Sequence, residues 1–104
     1  MVGGVAVRVE ADGRGERRDE VLHRTRASLD DGTCCPLLVV NVSPGGMMAR
    51  CERAFAIGER LGVELPGAGS VIAEVRWSLG GRIGCRFVVA LGPGVYDGVL
   101  EAMR

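Results

Sequence analysis

Two short segments carry side chains whose types and spacing suit recognition of a small polar ligand. The first is Arg14-Gly15-Glu16-Arg17-Arg18, an Arg-x-x-x-Arg pair with a third arginine inside it. A guanidinium presents a planar fork of donors that matches phosphate oxygens or guanine O6 and N7 bidentately, and it stacks on flat rings. The second is Asn41-Val42-Ser43-Pro44-Gly45-Gly46. In a strand ending at Ser43 the side chains alternate, so Asn41 and Ser43 project from one face of an otherwise apolar segment. Gly46, three residues on, lacks the side chain that would bar a ligand's close approach or a positive φ. Arginines from an arm and polar groups from a strand end together make a site for phosphates and base edges.

Other chemistries find less support. The 13 arginines are matched by 13 acidic residues, and lysine is absent. Zero net charge argues against a general nucleic-acid or membrane-surface binder. Around the arm, Glu16, Asp19 and Glu20 dilute Arg14, Arg17, Arg18, Arg24 and Arg26, so recognition there rests on geometry rather than bulk charge. Cys34, Cys35, Cys51 and Cys85 have no Cys-x-x-Cys spacing, and His23 is the only histidine, so no metal site is expected. The cysteines read as reduced, small hydrophobes. No nucleophile–base pair or phosphate-binding glycine fingerprint is present, which argues against an enzyme. Trp77 beside Gly80-Gly81 reads either as core or rim packing or as a stacking platform for a base.

These groups must be held by a small scaffold. A chain of 104 residues allows one domain with a modest core. Four aromatics and seventeen glycines suit short Val/Leu/Ile strands joined by tight turns. Residues 1–13 show a weak alternation at Val5, Val7 and Val9 and read as a flexible lead-in. Alternation predicts strands over residues 21–29, 36–43, 47–50, 61–65, 71–79 and 82–89. Asp30-Asp31-Gly32-Thr33 and Gly80-Gly81 are hairpin turns. Residues 52–58 are compatible with a helical turn or a loop. After Pro93-Gly94 the spacing of Val95, Tyr96, Val99, Leu100 and Met103 predicts a terminal helix. No stretch reaches membrane-spanning length and no secretory leader opens the chain, so a cytoplasmic location is expected.

An Arg-x-x-x-Arg segment before the first strand, followed by (Asp/Asn)-x-Ser-x-x-Gly after the second, resembles the signature of PilZ domains. The matching residues are Arg14, Arg18, Asn41, Ser43 and Gly46, with one hairpin between the two halves. Glu74-Val75-Arg76-Trp77-Ser78 with Gly84-Cys85-Arg86-Phe87 is similar to the last barrel hairpin of that family. The resemblance implies a mainly β fold, a six-stranded antiparallel PilZ-type split barrel with a C-terminal helix, occupying residues 14–104. It implies a non-catalytic receptor for the bacterial second messenger cyclic di-GMP that relays the signal to a protein partner, with no cofactor, as a monomer or weak homodimer.

In that role Arg14 and Arg18 clamp the ligand, Arg17 adds a third contact, and Asn41 Oδ1 accepts from a guanine N–H. Ser43 Oγ bonds base or phosphate, Gly46 permits approach, and Trp77 offers a stacking face. Many members have Asp at the position of Asn41. Asparagine keeps the acceptor and loses the charge. The alternative is an adaptor of the same fold that contacts proteins and binds no nucleotide.

Overall fold

Apolar alternation interrupted by glycine turns builds strands throughout this chain, in a computed structural model that describes residues 17–104. The expectations placed on Arg14 and on residues 1–13 lie outside the described residues. Among those described, β1 (Asp19–Ser28), β2 (Cys34–Ser43), β3 (Gly46–Arg50), β4 (Arg60–Leu65), β5 (Gly69–Leu79) and β6 (Arg82–Phe87) precede α1 (Pro93–Met103). The strands pair antiparallel in the order β1-β2-β3-β6-β5-β4, and β4 closes on β1 through Ala27↔Val63 and Ser28↔Gly62. The expected six-stranded antiparallel barrel with one C-terminal helix is what forms, and it is closed. Closure removes the exposed edges that would otherwise template aggregation.

The inward positions follow the pleat. Val39, Ala49, Val63, Ala73, Val75 and Ile83 are fully buried inside the barrel. Turn chemistry fixes the registers. Gly80 and Gly81, at φ 62 and 77, make the two-residue link between Leu79 and Arg82, a geometry that right-handed strand twist favours and that β-carbons resist. At the β1–β2 turn the Asp31 carboxylate accepts from Thr33 N at 2.9 Å and Thr33 Oγ1 at 2.6 Å. Those bonds hold its carboxyl below the usual range.

Residues 52–58 form no helix. The backbone instead closes a turn, with Glu59 N donating to Ala56 O, while Gly58 N and Val75 N bond across to Val75 O and Glu59 O. Phe55 anchors this loop in the core beneath Arg53, whose guanidinium sits 4.6 Å from the ring centre.

Helix α1 begins at Pro93, where the missing N–H costs nothing. Tyr96, Val99, Leu100 and Met103 form its buried face, whereas Val95, expected on that stripe, is exposed. Its N-cap is Gly92, with no side-chain capping bond, a loss of only about a few tenths of a kcal/mol. Burial of four large side chains, at about 1.5–3 kcal/mol each, outweighs that. Packing on the barrel, not capping, holds this helix.

Candidate ligand cleft

Two β-bulges decide which side chains face outward. In β2, Val39 pairs with Ala49 but Asn41 pairs with Met48, so Val40 is an extra residue. Leu37 and Val39 point inward before the bulge, and Val42 takes the inward position after it. A regular strand would have carried Asn41 and Ser43 into the core behind Val39. The bulge turns both outward instead. In β5 the same happens: Val75 pairs with Cys85 and Trp77 with Gly84, leaving Arg76 as the extra residue. The regular alternation expected from Val71 to Leu79 would have buried Trp77 with Ala73 and Val75. Here Arg76 and Trp77 are consecutive and both exposed, Trp77 at 41%.

The bulges bracket one continuous row. Asn41 pairs with Met48, Met48 with Gly84, and Gly84 with Trp77, crossing β2, β3, β6 and β5. Gly84 is where the Trp77 indole rests, since a Cβ there would collide with ring atoms Nε1, Cε2 and Cδ1. An outward cleft of about 850 Å³ lies over this row, within the roughly 300–1,000 Å³ usual for ligand sites. Arg18, Asn41, Ser43, Gly46 and Trp77 all line it. Met48, Arg76, Gly84 and Arg86 line it too, and the sequence reading did not assign them to a site.

Individual positions differ from expectation in instructive ways. Arg17 does not face the cleft. Its Nε forms an ion pair with Asp19 Oδ2 at 3.1 Å and its Nη1 donates to Asp97 Oδ1 at 3.0 Å, while the guanidinium lies 5.3 Å from the Tyr96 ring centre. It ties the arm to α1 and borders a separate recess of about 330 Å³ with Asp97 and Arg104. Gly46 has no positive φ. A Cβ there would strike the Cys85 carbonyl, so glycine serves close approach of β3 to β6.

Ser43 is 6% exposed, and its hydroxyl reaches the Gly46 carbonyl at 3.4 Å. That bond is long, so a ligand acceptor at normal distance would compete well for the proton. Behind the site, Tyr96 Oη lies 2.6 Å from Asp19 Oδ2 and 2.9 Å from the carbonyl of Val42, between Asn41 and Ser43. Burial, then the bond to Asp19, pushes the Tyr96 phenol up, so it stays a donor.

The electrostatics favour an anion. Arg18, Arg76 and Arg86 surround the cleft, and Glu74, half-buried, faces two of them. Among the described residues no cluster of His, Cys, Asp and Glu is arranged to hold a metal ion.

The sequence matches the PilZ domain over residues 6–95. This chain belongs to the PilZ domain family. Among solved structures, the PilZ barrel is similar to YcgR from Escherichia coli in complex with c-di-GMP, with a TM-score of 0.61 and 18% identity over 84% of this chain. It is similar also to the PilZ domain with c-di-GMP of the same protein, with a TM-score of 0.60 and 18% identity over 85% of this chain. The chain spans 42% of the first of those structures and 86% of the second. At this identity the likeness bears on the fold. A search of curated proteins returns no match. Among the described residues of this PilZ domain, no helix is long and apolar enough to cross a membrane.

Proposed function

We propose that this PilZ domain is a non-catalytic receptor for cyclic di-GMP, bound in the cleft between the arm and β5. The observation that supports it most is the convergence of Arg18, Asn41, Ser43 and Trp77 on one outward cleft. The chemistry fits the ligand on each side. Asn41 Oδ1 accepts from a guanine N–H, and Arg18 forks onto O6 and N7 or onto phosphate. Trp77 offers its face to a purine. Arg14 joins Arg18 as the second clamp of the Arg-x-x-x-Arg arm. Fold neighbours solved with c-di-GMP bound point to the same ligand class.

Binding changes the surface offered to a protein partner because the arm is joined to α1 through Arg17 and Tyr96. Such a switch works through different ligand affinities of the two arm states. The ligand's class implies a bacterial, cytoplasmic setting. Titration calorimetry with cyclic di-GMP, alongside amide chemical shifts, tests the reading. Heat release with shifts at Arg18, Asn41 and Trp77 is expected. No heat and no shift would leave the protein-binding adaptor as the better account.

A further inference from the structure

We infer that Arg76, exposed next to Trp77 at the β5 bulge, is a ligand-contacting residue of the cleft, with Glu74 and Arg86 as the pair that positions it. The inference rests on the cleft being a nucleotide site.

Three observations carry it. The first is the bulge itself. An extra residue between Val75 and Trp77 puts Arg76 and Trp77 side by side on the outer face, where regular pleating would separate them. Bulges re-aim side chains beside functional sites, and this one turns the indole out beside a guanidinium that the regular pleat already faces outward.

The second is placement. The paired row from β2 to β5 crosses three strand intervals, about 14 Å at roughly 4.8 Å each. Arg18 enters the cleft from the chain leading into β1, on the β2 side, while Arg76 stands at the far end. An anionic ligand lying along the row is met by a guanidinium at each end.

The third is charge. The single Glu74 carboxylate serves both arginines of the far wall. Arg86 Nη2 donates to Glu74 Oε1 at 3.1 Å, and Arg76 Nη1 stands 3.7 Å from the same oxygen. Arg86 therefore holds the better bond. Among the described residues Arg76 makes only the longer contact, with its side chain 54% exposed. Two cations on one carboxylate leave a net positive wall. Arg76 can turn toward a phosphate or a guanine edge while Arg86 keeps Glu74 neutralised.

A passive surface ion pair of this exposure would contribute little, and its loss would not be felt in binding. The test exploits the fact that Trp77 is the only tryptophan. Cyclic di-GMP is titrated into the full chain while Trp77 fluorescence and calorimetric heat are followed. The wild type, Arg76→Ala, Arg76→Lys and Arg82→Ala are compared. Arg76→Ala is expected to weaken binding about tenfold with an unchanged melting temperature, and Arg76→Lys to recover part of the loss. Arg82→Ala, on the same hairpin outside the cleft, is expected to bind as the wild type does.

In the wild-type chain the Arg76 Nε–H resonance is expected to shift on saturation, which does not depend on any variant folding. If the wild type binds while Arg76→Ala keeps full affinity and the Nε–H signal stays still, this inference is wrong and the receptor reading survives. If the wild type does not bind, the receptor reading itself fails.

Discussion

The Trp77 indole lies against the backbone of its cross-strand partner Gly84, so close that no β-carbon fits between them. This contact converts a half-exposed aromatic into a flat, fixed face at the end of the Asn41–Met48–Gly84 row. A stacking platform is useful to a ligand only if its ring is held before binding, because ordering a free side chain costs free energy at the moment of association.

Gly84→Ala is expected to lift the ring from its seat. Trp77 emission should shift to the red as the indole enters water, and cyclic di-GMP affinity should fall about tenfold. Forcing a methyl into a close contact costs about 1–3 kcal/mol of stability as well. Gly84→Ala with unchanged emission and affinity would mean that the platform does not depend on the glycine.

The bulge at Val40 makes Asn41 a cleft residue, and its amide oxygen is the group expected to meet guanine N–H donors. Asn41→Ala removes that acceptor and should weaken binding by about 1 kcal/mol, near fivefold. Asn41→Asp restores a charge, and charge-assisted hydrogen bonds are about twice as strong as neutral ones. It should therefore bind more tightly than the wild type at neutral pH, and Arg18, which lines the same cleft, strengthens the expectation. Calorimetry on the two variants decides the matter. Equal affinities for all three proteins would remove Asn41 from the site.

Much of this is legible in the sequence. Alternation at Val21 to Leu29 and Leu61 to Leu65, the glycine turns and the helical spacing of Tyr96, Val99, Leu100 and Met103 yield the barrel and its helix, because these periods are local properties. The Asn41 and Ser43 pairing on one face was legible for the same reason. The bulges were not. Val71, Ala73, Val75, Trp77 and Leu79 alternate perfectly as a string, and only pairing with β6 reveals that Arg76 is supernumerary. That parity change turns Trp77 outward and sets it beside Arg76 on one face, which the string alone does not show. The role of Gly84 was hidden for a related reason, since a close approach between strands leaves no mark in either strand's own pattern. Nor does the sequence separate Arg17 from its neighbouring arginines, since Asp97, which accepts from it, is eighty positions away.

Tyr96 joins three parts of the molecule through one hydroxyl: α1, the start of β1 at Asp19, and the Val42 carbonyl behind the cleft. Tyr96→Phe keeps the ring and its burial but removes the one hydroxyl proton that the Asp19 carboxylate and the Val42 carbonyl share. Losing a hydrogen bond to a charged partner costs about 1.5–3 kcal/mol. For a domain of this size that is a drop of roughly 6 °C or more in melting temperature. Thermal unfolding followed by circular dichroism measures it. A drop under about 2 °C would show that the hydroxyl is not holding the helix to the barrel.

Alkaline stability provides the last test, and its sign follows from Cys85. This thiol is buried on β6, and burial, with a smaller contribution from the neighbouring Cys51, pushes it up to about 12 from an ordinary value of 9.0. The folded state therefore holds the proton more tightly than the unfolded chain does. Stability from this group is complete below pH 9 and is lost progressively as pH rises toward 12, by up to about 4 kcal/mol. Burial raises the Cys35 and Cys51 thiols in the same direction, and the Tyr96 phenol follows from pH 10 upward.

Urea midpoints at pH 7, 9, 10 and 11 should fall steadily above pH 9 in the wild type. Cys85→Ala should start slightly lower at pH 7, where a small cavity is the only effect. Its decline between pH 9 and 11 should then be shallower, since the most strongly shifted thiol is gone while Tyr96 remains. Parallel curves for the two proteins would show that Cys85 does not govern the alkaline limb.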